Sequence, residues 1–357
     1  MIATRLTRRG YVLLLSAGLL GTLLAAVVSL GAGPADRPLF AALEILLGPV
    51  LGLSHAPSET VFAQIVWDIR LPRILSALLV GGALAIIGTT LQAIMRNPLA
   101  DPYILGISSG AAVGAALAAG LGSWLLSGGV GGWMKFFGAR AVGASGAAFV
   151  TALVSVLIVY SVASVEGRIT PVRLLLAGVA YSAFASALTA FILYLLPDAA
   201  AVRGVIFWLL GGLSNVDWTG LGWMSVAVVP SLLVLGMASR WMNLLLLGDD
   251  SALSLGLDVA KARLGLILVT ALATGAIVAE VGAVGFVGLI VPHAVRPLTG
   301  PDHRRLMPVV FIFGAGLLVA MDGLSRTILA PQEIPVGILT GLLGAPFFLF
   351  LLRRSRG

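Results

Sequence analysis

The chain contains no cysteine, which excludes a disulfide framework, a thiolate metal site and a cysteine nucleophile, and leaves the redox compartment unmarked. Charge is also scarce. Asp, Glu, Lys and Arg make up 10% of the residues, against about 25% in an ordinary soluble domain, too few to cover a water-facing surface. There is no Gly-x-x-x-x-Gly-Lys-Ser/Thr loop to cradle nucleotide phosphates and no His-Glu-x-x-His pair to hold zinc, so the chain is expected to carry no motor of its own and no permanently bound cofactor. Its three histidines, His55, His293 and His303, are split between an expected outer loop and a cytoplasmic turn and do not converge as metal or haem ligands must. No catalytic acid pair or nucleophile cluster is visible.

What fills the space is apolar. Hydrophobic residues make up 59% of the chain, and 45 of the 357 positions are glycine, a composition suited to lipid. The formal charge of +7 comes from Lys and Arg set in ones to threes between apolar runs; they read as topology signals, and no nucleic-acid partner is expected. Arg5, Arg8 and Arg9 precede a charge-free run from Tyr11 to Ala35, too long for the core of a signal peptide and read as a first transmembrane helix.

A helix needs about 20 apolar residues to cross the hydrocarbon layer. Charge-free runs place spans at Tyr11–Ala35, Ile74–Met95, Pro102–Met134, Ala141–Val165, Leu174–Pro197, Trp218–Ser239, Leu306–Met321 and Ile334–Leu352, with a broken region at Leu264–Val295. The tail of the third run, Ser127 to Gly132, reads as a loop. The broken region holds Glu280, the acid inside a hydrophobic run, just before the glycine-rich stretch Gly282 to Gly288. Both chain ends are basic, which favours the cytoplasm for each and requires an even number of crossings. Counting the broken region as two helices gives ten spans and puts 15 of the 22 Lys and Arg residues on the cytoplasmic side. The expected fold is an all-α, polytopic, single permease domain over residues 1–357. It has an outer loop at about 35–66 carrying a short surface helix, and a cytoplasmic segment at about 247–263.

That cytoplasmic segment is the longest polar stretch on its face. Asp250 and Ser251 can cap a short helix, Gly256 can end it and Asp258 can start a second, making a rigid knob outside the membrane. The pattern Asp250-Ser-Ala-x-x-x-Gly256 resembles the Glu-Ala-Ala-x-x-x-Gly pattern of ABC-importer permeases. Further matching segments are Leu71 to Gln92, Arg96-Asn-Pro-Leu-Ala-Asp-Pro102, Leu105-Gly-Ile-Ser-Ser-Gly110, Gly285 to His293, Asp302-His-Arg304 and Glu333-Ile-Pro-Val-Gly337. Together they resemble, in order and spacing, the FecCD family of permeases, the membrane subunits of type II ABC importers for vitamin B12, ferric siderophores and haem.

The resemblance implies a homodimer with ten helices per subunit in a bacterial inner membrane, both termini cytoplasmic, served by two cytoplasmic ABC ATPases and a periplasmic binding protein. ATPase coupling then falls on Asp250, Ser251, Ala252, Gly256, Leu257 and Asp258, and binding-protein docking on Arg70, Arg73 and Arg326. Interfacial snorkelling is the alternative for these arginines. A cytoplasmic gate is expected at Ile169, Thr170, Pro171 and Val172, whose composition favours an apolar plug. Arg203 is placed either to meet an anionic ligand such as a haem propionate or to pair with Asp198. Glu280, which departs from the family pattern, either lines the pathway or marks a helix end. The expected cargo is an iron chelate, haem ahead of ferric siderophore and cobalamin third. An ATP-independent channel or secondary transporter is the competing class.

Overall fold

The computed structural model describes residues 6–33, 39–51, 60–127, 141–165 and 168–354. The helices in chain order are α1 Arg8–Gly31, α2 Leu39–Leu51, α3 Thr60–Gln64, α4 Leu71–Met95, α5 Ile107–Ser127, α6 Ala141–Ala163, α7 Pro171–Leu195, α8 Ala199–Leu209, α9 Trp218–Met237, α10 Ser239–Leu245, α11 Asp249–Ser254, α12 Val259–Val281, α13 Val287–Thr299, α14 His303–Ser325 and α15 Val336–Arg354. Seven helical stretches among the described residues are long and apolar enough to cross a bilayer: α1, Val61–Met95, Gly143–Ala163, α7, α9, α12 and α14. The shorter apolar helices α5 and α15, taken with α13, make the expected ten-span count roughly consistent with the structure. The only strands among the described residues are one antiparallel pair, Ser164–Val165 against Arg168–Ile169.

The chain divides into two compact units that alternate along the sequence, residues 1–89, 212–226 and 285–357 in one, and 90–211 and 227–284 in the other. Both follow the packing logic of lipid, in which large apolar side chains face outward and small residues let backbones approach. On α1, Leu13, Leu20 and Leu24 are exposed while Gly18, Thr22 and Ser29 are buried. In the first unit α4 meets α13 backbone to backbone: a Cβ added to Gly88 would lie 2.0 Å from the Gly288 carbonyl oxygen. In the second unit Gly178 of α7 leaves the same kind of room for the Ile104 carbonyl, 1.8 Å from where a Cβ would sit.

Two boundaries differ from the sequence reading. The span expected from Ile74 belongs to a helical run that starts at Thr60, passes through a π-helical turn at Ile65–Arg70 and continues as α4. Arg70 and Arg73 do not stop it, because both guanidiniums have buried partners within the chain. The span expected from Pro102 starts as a 3₁₀ turn, Pro102–Leu105, capped by the Asp101 side chain, and Gly106 at φ 75° redirects the chain before α5 begins. The outer stretch at 35–66 contains the expected short helix, α2, in which Ala42 and Ile45 are buried with Leu30, Phe62, Val66 and Ile74. The glycine-rich tail at 128–132 lies outside the described residues.

The region 264–295 is broken as expected. Gly282 (φ 67°) and Phe286 (φ 69°) are both left-handed, and between them the chain leaves α12 and enters α13. With 13 residues, α13 extends about 20 Å, less than the roughly 30 Å hydrocarbon layer. Irregular backbone at such depth needs protein partners. The Tyr103 hydroxyl supplies them at Val284, donating to its carbonyl at 2.8 Å and accepting from its N–H at 2.9 Å. Tyr103→Phe should therefore cost about 1–3 kcal/mol, read as a lower melting temperature in detergent with the fold retained.

Candidate functional site

The polar segment folds as a single short helix that leads directly into a span. The helix α11 begins at Asp249 with Gly248 at its N-cap and no side-chain cap bond. Asp250 and Ser251 thus lie inside the helix and do not cap it. Gly256, at φ 85°, closes it, with its own N–H donating to Leu253 and the Leu257 N–H to Ala252. Asp258 does cap the next helix, accepting from the Lys261 N–H at 3.1 Å and pairing with its ammonium at 2.9 Å. The Lys261 hydrogen bond, foremost, holds the Asp258 carboxyl below its ordinary range. The helix it caps is the 23-residue α12; the expected second short helix is the first turn of this span, since no glycine or proline interrupts Val259 to Leu264. Ala252 is buried, whereas Leu253 and Leu255 are 65% and 61% exposed among Asp250, Ser251 and Ser254.

Asp249 ties this segment down. Its carboxylate takes Arg96 at 3.0 Å and Arg263 at 3.0 Å. Arg96 comes directly after α4 in a left-handed conformation, φ 47°, and Arg263, in the first turns of α12, is buried.

In the same unit the hairpin pairs Ser164 with Ile169 and Val165 with Arg168. Thr170 then caps α7, accepting from the Arg173 N–H at 3.4 Å, and Pro171 occupies the first helical position, where its missing N–H costs nothing. Val172 is 66% exposed. Arg203 is exposed on α8. Asp198 caps that helix through the Ala200 N–H at 2.8 Å, which replaces the ion pair considered between it and Arg203. The end of α8 meets the break after α12, where Trp208 Nε1 donates to the Ala279 carbonyl at 3.4 Å. Glu280 lies in the last turn of α12, partly buried.

In the other unit the structure brings Arg70, Arg73 and Arg326 together, each 5% exposed or less. Arg73 pairs with Asp322 and with Glu333, both at 2.8 Å. Arg326 pairs with Asp322 at 3.2 Å and donates to the Ala32 carbonyl at 2.9 Å and to Ser29. Arg70 donates to the Leu30 carbonyl at 2.6 Å and lies over the Phe62 ring. Two guanidiniums thus satisfy carbonyls at the end of α1, groups that a helix end otherwise leaves without partners. These cations are held inside the protein, and snorkelling does not describe them. Glu333, one-third exposed, is the accessible charge at this corner.

Sequence reasoning missed Asp249, Arg96 and Arg263 as a set, and also Asp322, a wholly buried acid inside α14. Asp322 had a visible signal: it precedes Arg326 by four residues, one helical turn. Glu280 is therefore not the one acid within a membrane helix.

Residues 21–354 match the FecCD transport family. The chain is 43% identical over 290 residues to the cobalamin import system permease protein BtuC of Halobacterium salinarum, covering 81% of this chain and 73% of that protein. It is 40% identical to the vitamin B12 import system permease BtuC of Klebsiella pneumoniae (82% and 83% covered) and 41% identical to the hemin transport system permease HmuU of Yersinia pestis (82% and 84%). Among solved structures, an inward-facing metal-chelate type ABC transporter superposes with a TM-score of 0.77 at 32% identity, over 95% of this chain and 98% of that one.

Proposed function

The chain belongs to the FecCD transport family, and from that premise we propose that it is the membrane-spanning subunit of an ATP-driven importer that takes a metal chelate from a periplasmic binding protein to the cytoplasm. The observation that carries the reading is the 247–263 segment, a polar knob bearing two exposed leucines, Leu253 and Leu255. Apolar side chains presented from a polar, water-facing element mark a protein contact. The partner is a cytoplasmic ABC ATPase, two copies serving a homodimer of this chain, with both termini on the same side in the inner membrane. Asp250, Ser251, Ala252, Gly256, Leu257 and Asp258 shape this contact.

Because the chain has no cysteine, Ser254→Cys introduces a unique thiol. It should cross-link to the ATPase subunit and react only with reagents that reach the cytoplasm. Labelling from the periplasm alone would reverse the topology and remove the motor contact.

Docking of the binding protein is proposed at the corner holding Arg70, Arg73 and Arg326, with Glu333 as the accessible charge and the arginines as its support. The gate at Ile169, Thr170, Pro171 and Val172 is proposed to close against a second copy, consistent with the exposure of Val172, and Glu280, at the far end of α12 from the knob, to line the pathway. Relatives named for cobalamin and for hemin are about equally similar to this chain, so identity does not rank the cargo. Haem is placed first on Arg203, exposed on α8, because a propionate accepts charge-assisted, bidentate hydrogen bonds from a guanidinium; ferric siderophore and cobalamin come after it. Arg203→Gln should lower haemin uptake about tenfold, the loss of one charged hydrogen bond, and cyanocobalamin uptake far less. Equal effects on the two would show that Arg203 does not read carboxylates.

A further inference from the structure

We infer that Asp249 is the positioning residue through which the coupling knob acts on the membrane helices. The inference rests on the proposed ATPase contact and goes beyond it by naming the joint. One carboxylate holds two guanidiniums that belong to different spans: Arg96, directly after α4, and Arg263, in α12, each at 3.0 Å. The knob itself is short, and two further side-chain contacts within it are local. Ser254 donates back to the Asp250 carbonyl, and Asp258 pairs with Lys261 three residues away in the helix it caps. Such contacts shape the knob but reach no second span. The ion pairs of Asp249 tie the knob to two separate membrane helices.

The local backbone is built for this joint. A buried Arg263 needs one countercharge, and Asp249 supplies it; that requirement does not explain the second guanidinium. Arg96 reaches Asp249 from a left-handed conformation, φ 47°, which a residue with a Cβ rarely adopts. Gly248, at φ 101°, also takes a backbone conformation that residues with a Cβ rarely adopt, and a Cβ there would meet the Arg96 guanidinium only in ordinary contact at 3.5 Å. Two unusual backbone positions thus meet at one carboxylate. A displacement of the knob by the ATPase would move α12 along the chain and through Arg263, and α4 through Arg96. Asp249 is thereby the link that makes two helices respond together.

The test uses the intact complex with its ABC ATPase and a nitroxide at Leu268→Cys, a position on the exposed side of α12, as the only thiol. ATP binding should change the nitroxide line shape in the otherwise unaltered complex. In Asp249→Asn, which keeps the side-chain volume, the complex should still assemble and hydrolyse ATP within about twofold, while the ATP-induced change falls at least about fivefold; Asp249→Glu should restore it. Arg96→Gln should give the same loss, and Arg96→Gln with Asp249→Asn no more than either alone. An undiminished response in Asp249→Asn and Arg96→Gln would overturn the inference and leave the ATPase contact standing. Dissociation of the ATPase from Asp249→Asn would also overturn it, since Asp249 would then belong to the contact itself. A chain that never binds an ABC ATPase refutes the proposed function instead.

Discussion

Gly88→Ala should abolish the folded protein. The added Cβ would fall 2.0 Å from the Gly288 oxygen and 2.5 Å from its Cα. Both are backbone atoms that no rotamer change can move, so α4 and α13 must separate along their contact. Overpacking that side chains can absorb costs about 1–3 kcal/mol; a backbone clash at a helix crossing exceeds that, and membrane helices depend on such close approach because lipid gives them no hydrophobic drive to associate. Fluorescence-detected size exclusion of detergent extracts should show loss of the monodisperse peak. Gly236→Ala is the control, since nothing lies within 4 Å of its added Cβ, and it should leave peak and melting temperature near those of the parent. A monodisperse, thermally unchanged Gly88→Ala protein would refute the packing described for these helices.

Arg73→Ala should be the most damaging change at the arginine cluster. Asp322 is fully buried and Arg73 is 5% exposed, with 2.8 Å between them. Removing one partner of a buried pair leaves an uncompensated charge and costs about 3–5 kcal/mol. Arg326 still lies 3.2 Å from Asp322 and moderates the loss, while Glu333, partly solvated, contributes less. Asp322→Asn removes the charge that Arg73 answers, so Arg73→Ala combined with Asp322→Asn should melt higher than the sum of the single losses predicts. Additive losses would show that the two side chains act independently. The consequence for docking is direct. Arg73→Glu would set a third acid beside Asp322 and Glu333 and unfold this corner before binding could be measured, so docking is better probed at Glu333, by Glu333→Gln.

Much of this fold was legible because lipid imposes a simple rule: an uncharged run long enough to cross becomes a helix. The break after α12 could be read from Gly282 and Gly285 together with the parity of the basic chain ends. The start of the second span could not. Arg70 and Arg73 look like the edge of a helix in the sequence, and the partners that let Arg73 sit inside one, Asp322 and Glu333, lie 249 and 260 residues further along. A long separation in sequence likewise hid the pair between Asp249 and Arg96, the latter lying in a motif that reads as a turn. The capping of α12 by Asp258 was legible because a cap is local. The start of α11 was misplaced by two or three residues, because Asp250 and Ser251 are good cap residues while the left-handed Gly248 takes the cap position. The exposed leucines at 253 and 255 were visible as residues but not as a surface, since exposure is set by which face of α11 packs.

The central claim is that this chain is a pathway worked by a separate motor. It is tested most directly in proteoliposomes holding the purified permease, with and without its ABC ATPase, supplied with a loaded binding protein and offered haemin or cyanocobalamin. Uptake should require the ATPase and ATP hydrolysis together and should vanish when either is withheld. Uptake at an undiminished rate by the permease alone would contradict the account and make the chain a channel or secondary transporter.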